Sequence, residues 1–179
     1  MGNWKVLFSE YLIKRPWLTA RMDKILLPNG RIMPEYYVLE YPDWVNITAV
    51  TKEGKIVMER QYRHGARRTC FEIPSGVMEK GETPLEAAKR ELMEETGYGG
   101  GEWELLMTLS ANPTMMTNMN YCFLATGVEK VSEQHLDETE DLEVFLKSRE
   151  EVLEILNGNV MIHPLMVSPL LKCFMEKKI

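Results

Sequence analysis

The chain has 179 residues, 45% of them hydrophobic and 27% charged, with a formal net charge of −6 at pH 7. Those proportions are ordinary for a globular protein long enough to bury its own core. The acidic balance argues against a nucleic-acid partner, which rewards a basic surface, and no apolar run reaches membrane-spanning length, so no membrane partner is expected. Three widely spaced cysteines, Cys70, Cys122 and Cys173, read as reduced thiols and a cytoplasmic location, not as a disulfide frame. The opening MGNWKV fits neither a signal peptide nor, with Val6 in it, a myristoylation signal.

In chain order, 4–13 and 17–27 read as strands separated by Arg15-Pro16, and Pro28-Asn29-Gly30 is a hairpin turn signal. Strands near 31–40 and 44–51 follow, then a turn at Lys52-Glu53-Gly54, an alternating strand at 55–63 and a short strand from Thr69 to Ile73. Strands at 103–110 and 120–127 flank a loop from Ala111 to Asn118. An acidic stretch at 129–141 leads into a strand at 142–147. Ser148 with Glu151 forms a capping box that starts a helix ending at Gly158. Pro164 begins a last helix to about Lys177, and Pro169 inside it is expected to kink it or shift its start. The chain divides at about residue 42, with a β segment at 1–42 that could dimerise or touch substrate, and the main domain at 43–179.

The most informative stretch is Gly76–Tyr98, GVMEKGETPLEAAKRELMEETGY. Thr83 is a ready N-cap, Pro84 suits the first helical position, and Glu86 completes a T-x-x-E capping box. The spacing predicts a helix to about Thr96 with Gly97 as its stop. Leu85, Ala88 and Leu92 define the buried face, and Glu91, Glu94 and Glu95 fall in an arc beside it. Glu91 and Glu95 lie one turn apart, where like charges repel. Lys89 and Arg90 offset part of that repulsion, and a hard divalent cation would offset more.

Gly76, five residues, Glu82, seven residues, then Arg90-Glu91-Leu92-Met93-Glu94-Glu95-Thr96-Gly97 resembles the Nudix box, with all seven fixed residues present. The last position, usually aliphatic, is Tyr98. The resemblance covers the chain from about Val45 onward and implies a Nudix fold: an α/β/α sandwich with a mixed sheet, here with a small N-terminal antiparallel sheet. The first forty residues resemble the N-terminal sheet of the ADP-ribose pyrophosphatase branch, which often crosses to a second subunit, so a homodimer is expected. The resemblance implies hydrolysis of a nucleoside diphosphate derivative with Mg²⁺ (Mn²⁺ as the alternative). ADP-ribose is the leading substrate, and GDP-mannose or another nucleoside diphosphate sugar is the alternative. A non-catalytic sensing module is the reading from another class; such modules usually lose box glutamates, and this chain keeps them.

The expected metal ligands are Glu91 and Glu95, then Glu94, for which a solvated surface carboxylate is the plain alternative. The backbone carbonyl of Ser75 is a ligand implied by the family. Gly76, Glu82, Arg90 and Gly97 are structural in the motif, with Arg90 paired to Glu82. The family places a general base in the acidic run Leu136–Leu142, where Glu140 matches best and Glu138 second; a charged, solvated loop is the alternative. For substrate, Arg63 matches an arginine that contacts the diphosphate, within the basic cluster Arg60, Arg63, His64, Arg67 and Arg68. Pro113, sixteen residues after Gly97, resembles the spacing of ADP-ribose pyrophosphatases, although its loop lacks the usual glycine and acidic residue. Trp17 and Trp44 are candidates to stack an adenine, with core packing as the alternative. His135 and His163 read as structural.

Overall fold

A computed structural model describes residues 2–179. The chain forms two units, residues 1–42 with 110–119, and residues 43–109 with 120–179.

The first unit is an antiparallel sheet of β1 (Lys5–Arg15), β2 (Leu18–Leu26) and β3 (Ile32–Glu40), in that spatial order. The turn before β3 closes with Leu27 N–H on the Arg31 carbonyl and Gly30 N–H on the Leu27 carbonyl. Asp23 is the buried charge of this sheet, held by the Ser9 hydroxyl at 2.5 Å and by Arg21 Nε at 3.1 Å. The loop at 110–119 is tied to β3: Leu39 N–H donates to the Met115 carbonyl and Thr117 N–H to the Leu39 carbonyl.

The second unit is built on a mixed sheet. Its strands are β4 (Trp44–Thr51), β5 (Ile56–Arg63), β6 (Arg68–Glu72), β7 (Ser75–Val77), β8 (Tyr98–Gly99), β9 (Glu102–Leu109), β10 (Asn120–Lys130) and β11 (Leu142–Lys147). The spine of the sheet runs β11-β5-β4-β10-β8, with β6 on β5, β7 on β4 and β9 on β10. β4 and β10 are parallel and the other pairings are antiparallel. Three helices are described: α1 (Pro84–Thr96), α2 (Arg149–Asn157) and α3 (Pro164–Met175).

Strand periodicity sorts the side chains into two layers. Val45, Ile47 and Ala49 of β4, Val57 of β5 and Phe123 and Ala125 of β10 pack with Ala87, Ala88 and Leu92 of α1. Val50, Ile56, Met58 and Leu124 pack on the opposite face with Val152 of α2 and Met166, Leu170 and Phe174 of α3. Helices therefore cover both faces of the mixed sheet, which is the expected α/β/α sandwich.

Both capping boxes form: Thr83 accepts from Glu86 N–H, and Ser148 from Glu151 N–H, with the reciprocal glutamate bonds in place. α3 begins at Pro164 and continues through Pro169 to Met175, so Pro169 does not displace its start. Two short strands, β7 and β8, lie in stretches that carry no strand pattern of their own. The buried face of α1 also differs from expectation. Leu85 is 36% exposed, and the face comprises Ala87, Ala88, Glu91, Leu92, Glu95 and Thr96. Helix α1 is thus rotated so that two carboxylates lie under it, not beside it.

Candidate active site

The site is assembled where the apolar layer under α1 gives way to polar residues. On β5, Val57 faces α1, and the same side of the strand next presents Glu59, then Gln61, then Arg63. Glu59 is fully buried and stands opposite Glu72 of β6, which is 1% exposed. Glu91 and Glu95 come down from α1 at 8% and 4% exposure.

Gly76 makes the approach possible. A Cβ there would lie 1.9 Å from the carboxyl carbon of Glu91, so any side chain would collide with the carboxylate. Beside it, Ser75 N–H donates to Glu95 Oε2 at 2.9 Å, and β7 is held in place by antiparallel pairing to β4. At the far end of the helix Gly97 adopts φ 71°, a left-handed stop that glycine takes without strain.

Arg90 organises the outer edge. Its Nε and Nη2 grip Glu82 at 2.7 and 3.1 Å, its Nη1 reaches Glu91 at 2.9 Å and Glu94 at 3.0 Å, and its Nη2 also reaches the Val77 carbonyl at 3.0 Å. The helix is thereby tied to the Gly76–Glu82 loop by one guanidinium. Arg63 is engaged by Glu72 through Nε at 2.9 Å and Nη2 at 2.5 Å, and its side chain remains 42% exposed. Arg60 pairs with Glu143, and Arg68 with the Asn159 carbonyl, so the basic cluster expected from the sequence is spread over separate partners.

The acidic loop before β11 is anchored to the C-terminus of α1, whose last carbonyls have no donor within the helix. His135 N–H takes the Glu94 carbonyl, Gln134 Nε2 the Glu95 carbonyl and Lys130 Nζ the Thr96 carbonyl, at 2.8, 2.7 and 2.9 Å. Glu140 lies farther along this loop, exposed, with its carboxylate on Asp137 N–H at 2.9 Å. Its negative charge acts on Glu59, Glu91 and Glu95. Glu138 is exposed.

Crowding leaves the inner carboxyls short of counter-charge. Burial pushes the Glu91 carboxyl up to about 7, although Arg90 is bonded to it. Burial, reinforced by the charge of Glu59, raises Glu95 well above the usual carboxylate range against the Ser75 N–H. Burial and the charge of Glu72 raise Glu59 in the same direction. These groups charge only at a cost unless a cation joins them. The donor set is all oxygen, which suits a hard divalent ion. The orphaned oxygens of Glu59 and the space kept clear by Gly76 fit such an ion. Among the described residues no three acidic, histidine or cysteine side chains already stand as a closed cage, so ligation here requires carboxylates to turn about their side-chain torsions.

Three candidates remain, Trp44, Trp17 and Pro113. Trp44 begins β4, partly exposed, in register with Val77 and Asn120. Trp17 and Pro113 belong to the first unit, Trp17 at the β1–β2 turn at 85% exposure and Pro113 on the exposed part of the 110–119 loop. Glu59 and Glu72 were not picked out from the sequence. The available signal was the run Ile56-Val57-Met58, apolar on both faces, which places the next residue in a strand already buried on both sides.

The NUDIX domain family model matches residues 41–162, well over half of the chain. The chain belongs to the Nudix family. A second model, the nucleoside diphosphate sugar hydrolase N-terminal domain, matches residues 4–39. This Nudix hydrolase is 33% identical over 155 residues to the ADP-ribose pyrophosphatase of Bacillus subtilis, spanning 86% of this chain and 83% of that one. It is 32% identical over 151 residues to the methanol dehydrogenase activator of Bacillus methanolicus, spanning 84% and 81%. The crystal structure of an ADP compounds hydrolase shares the fold with a TM-score of 0.87 at 22% identity, covering 99% of this chain and 96% of that one. The family hydrolyses nucleoside diphosphates linked to another moiety and generally uses divalent cations.

Proposed function

We propose that this Nudix hydrolase splits the diphosphate of ADP-ribose into AMP and ribose 5-phosphate with Mg²⁺ (or Mn²⁺) at Glu91 and Glu95. The observation that carries the reading is the pair of buried α1 carboxylates, Glu91 drawn against Gly76 and Glu95 against Ser75 N–H, in a chain one-third identical to an ADP-ribose pyrophosphatase. A bound divalent cation would neutralise diphosphate charge and lower the pKa of a coordinated water.

The chain's own residues have separate tasks. Glu91 and Glu95 supply the main oxygen ligands, with Glu94 and the Ser75 carbonyl as further donors. Arg90, fixed by Glu82, holds the helix carboxylates in line. Arg63, anchored by Glu72, presents its partly exposed side chain to phosphate oxygens. Glu140 accepts the proton of the attacking water, with Glu138 the second candidate. The water oxygen adds to one phosphorus, the bridging P–O bond breaks, and the bridging oxygen leaves on the other phosphate, giving two monoesters. Trp17, Trp44 and Pro113 are proposed contacts for the adenosine.

We further propose that the enzyme is a cytoplasmic homodimer. The free thiols of Cys70, Cys122 and Cys173 fit a reducing compartment, and the exposed apolar residues of β1 fit contact with a second copy.

A second substrate reading, another nucleoside diphosphate sugar such as GDP-mannose, is favoured by the N-terminal model matched at residues 4–39. A panel of these compounds, assayed with Mg²⁺ for release of phosphate monoesters, separates the two. The expected result is ADP-ribose with the highest kcat/KM. Higher kcat/KM on GDP-mannose would transfer the assignment to that class.

A further inference from the structure

Glu59 is the least explained group in the molecule. It is fully buried, no N–H or hydroxyl donor reaches either carboxyl oxygen, and the group within hydrogen-bond reach is another carboxyl, that of Glu95. A buried carboxylate normally satisfies its oxygens with N–H or O–H groups, because leaving them bare forfeits hydration with nothing in return. The other buried carboxylates follow that rule: Glu72 has Arg63, Glu91 has Arg90 and Glu95 has Ser75 N–H. Glu59 instead faces another carboxyl, that of Glu95, and stands opposite Glu72.

The strand itself gives no reason for an acid here. Val57 on the same face packs into the apolar layer under α1, and an aliphatic side chain two residues on would continue that layer at no electrostatic cost. The charge of Arg63 acts on Glu59, but its Nε and Nη2 hydrogen bonds go to Glu72. What the position lacks is a positive charge between Glu59 and Glu95.

We propose that Glu59 is a ligand of the catalytic divalent cation, so that the metal is held between strand β5 and helix α1 and not by the helix and Gly76 loop alone. This rests on the reading of Glu91 and Glu95 as cation ligands. To the helix carboxylates it adds one from a strand inside the sheet. Such a donor fixes the depth of the cation in the site, whereas helix side chains alone leave it free to shift outward.

The test is Mn²⁺ titration at pH 8 by calorimetry on the full chain, in wild type, Glu59→Gln, Glu59→Val and Glu95→Gln, with thermal melting of each in EDTA. The amide of Glu59→Gln preserves shape and can donate to Glu95, so both Glu59 variants are expected to melt in EDTA no lower than wild type. They are also expected to bind Mn²⁺ at least fivefold more weakly or to lose one ion per chain. Binding weakened less than fivefold at unchanged stoichiometry, while Glu95→Gln is impaired, overturns the role of Glu59 and leaves the helix assignment standing. Wild type that binds no Mn²⁺ overturns both. Glu59 variants that melt well below wild type in EDTA also overturn it, because Glu59 then serves the metal-free fold.

Discussion

Strand β1 exposes all eleven of its residues, whereas β4 buries seven of its eight. Both are β-branched and aromatic in the manner of good strands, so strand propensity does not separate them. What separates them is cover. β4 lies in the middle of the mixed sheet with α1 on one face and α3 on the other, and its side chains divide by parity between two packed layers. β1 is the edge of a three-stranded sheet, and Val6, Leu7, Phe8, Tyr11, Leu12 and Ile13 stand 43 to 54% exposed along it. An apolar edge of that length is a template for another chain. The same residue chemistry is core in one unit and surface in the other.

Matched substitutions break or sharpen this comparison. Leu92→Ala, at a residue with no exposure between α1 and the sheet, should cost roughly 2–5 kcal/mol by denaturant melting. A cost below about 1 kcal/mol would mean that the α1 layer is not packed as described. Gly76→Ala should cost roughly 1–3 kcal/mol, since its methyl must displace the Glu91 carboxyl, and Mg²⁺ affinity should fall with it. Wild-type affinity in this variant would show that Glu91 has room to spare.

A pH series probes the same crowding. Glu91 is pushed up to about 7 and Glu95 shifts in the same direction, both through burial. A carboxyl raised in the folded state favours folding most below its ordinary value near 4.3, and loses that contribution as pH climbs to its folded value. The metal-free protein should therefore lose stability at Glu91 as pH climbs from about 4.3 to about 7, with Glu95 acting in the same direction, and Mg²⁺ should raise Tm more at pH 8 than at pH 6. Equal Mg²⁺ increments at both values would contradict the assignment of protons to this cluster.

The smallest effect belongs to β1. Leu12→Ala should change stability by less than about 0.5 kcal/mol in dilute protein, as an exposed substitution does. Phe8→Lys with Leu12→Lys should convert a dimer to a monomer by light scattering. An unchanged mass would remove β1 from the interface.

Local chemistry made much of this architecture legible in the sequence. Thr83-Pro84 with Glu86, Ser148 with Glu151 and Gly97 each act through bonds within a few residues, and the helix limits they mark are the observed ones. The box spacing from Gly76 to Gly97 carried the family. Contacts between distant elements were not readable. Leu85 reads as core by spacing, but the orientation of α1 is set by what β4 and β10 offer, and they take Ala87 instead, beside the expected Ala88 and Leu92. β7 exists through pairing to β4, and β8 through pairing to β10. Glu59 looked like the polar half of an alternating strand, because its burial comes from α1, more than twenty residues along the chain.

The central claim is that the carboxylates of α1 hold a divalent cation for cleavage of a diphosphate. Its most direct test is AMP formation from ADP-ribose in wild type and Glu95→Gln, each with Mg²⁺ and with EDTA, alongside a thermal melt. Wild type should turn over only with Mg²⁺, and Glu95→Gln should lose at least about 100-fold in kcat while melting as a folded protein. Turnover in Glu95→Gln equal to wild type, or full activity in EDTA, would contradict the claim.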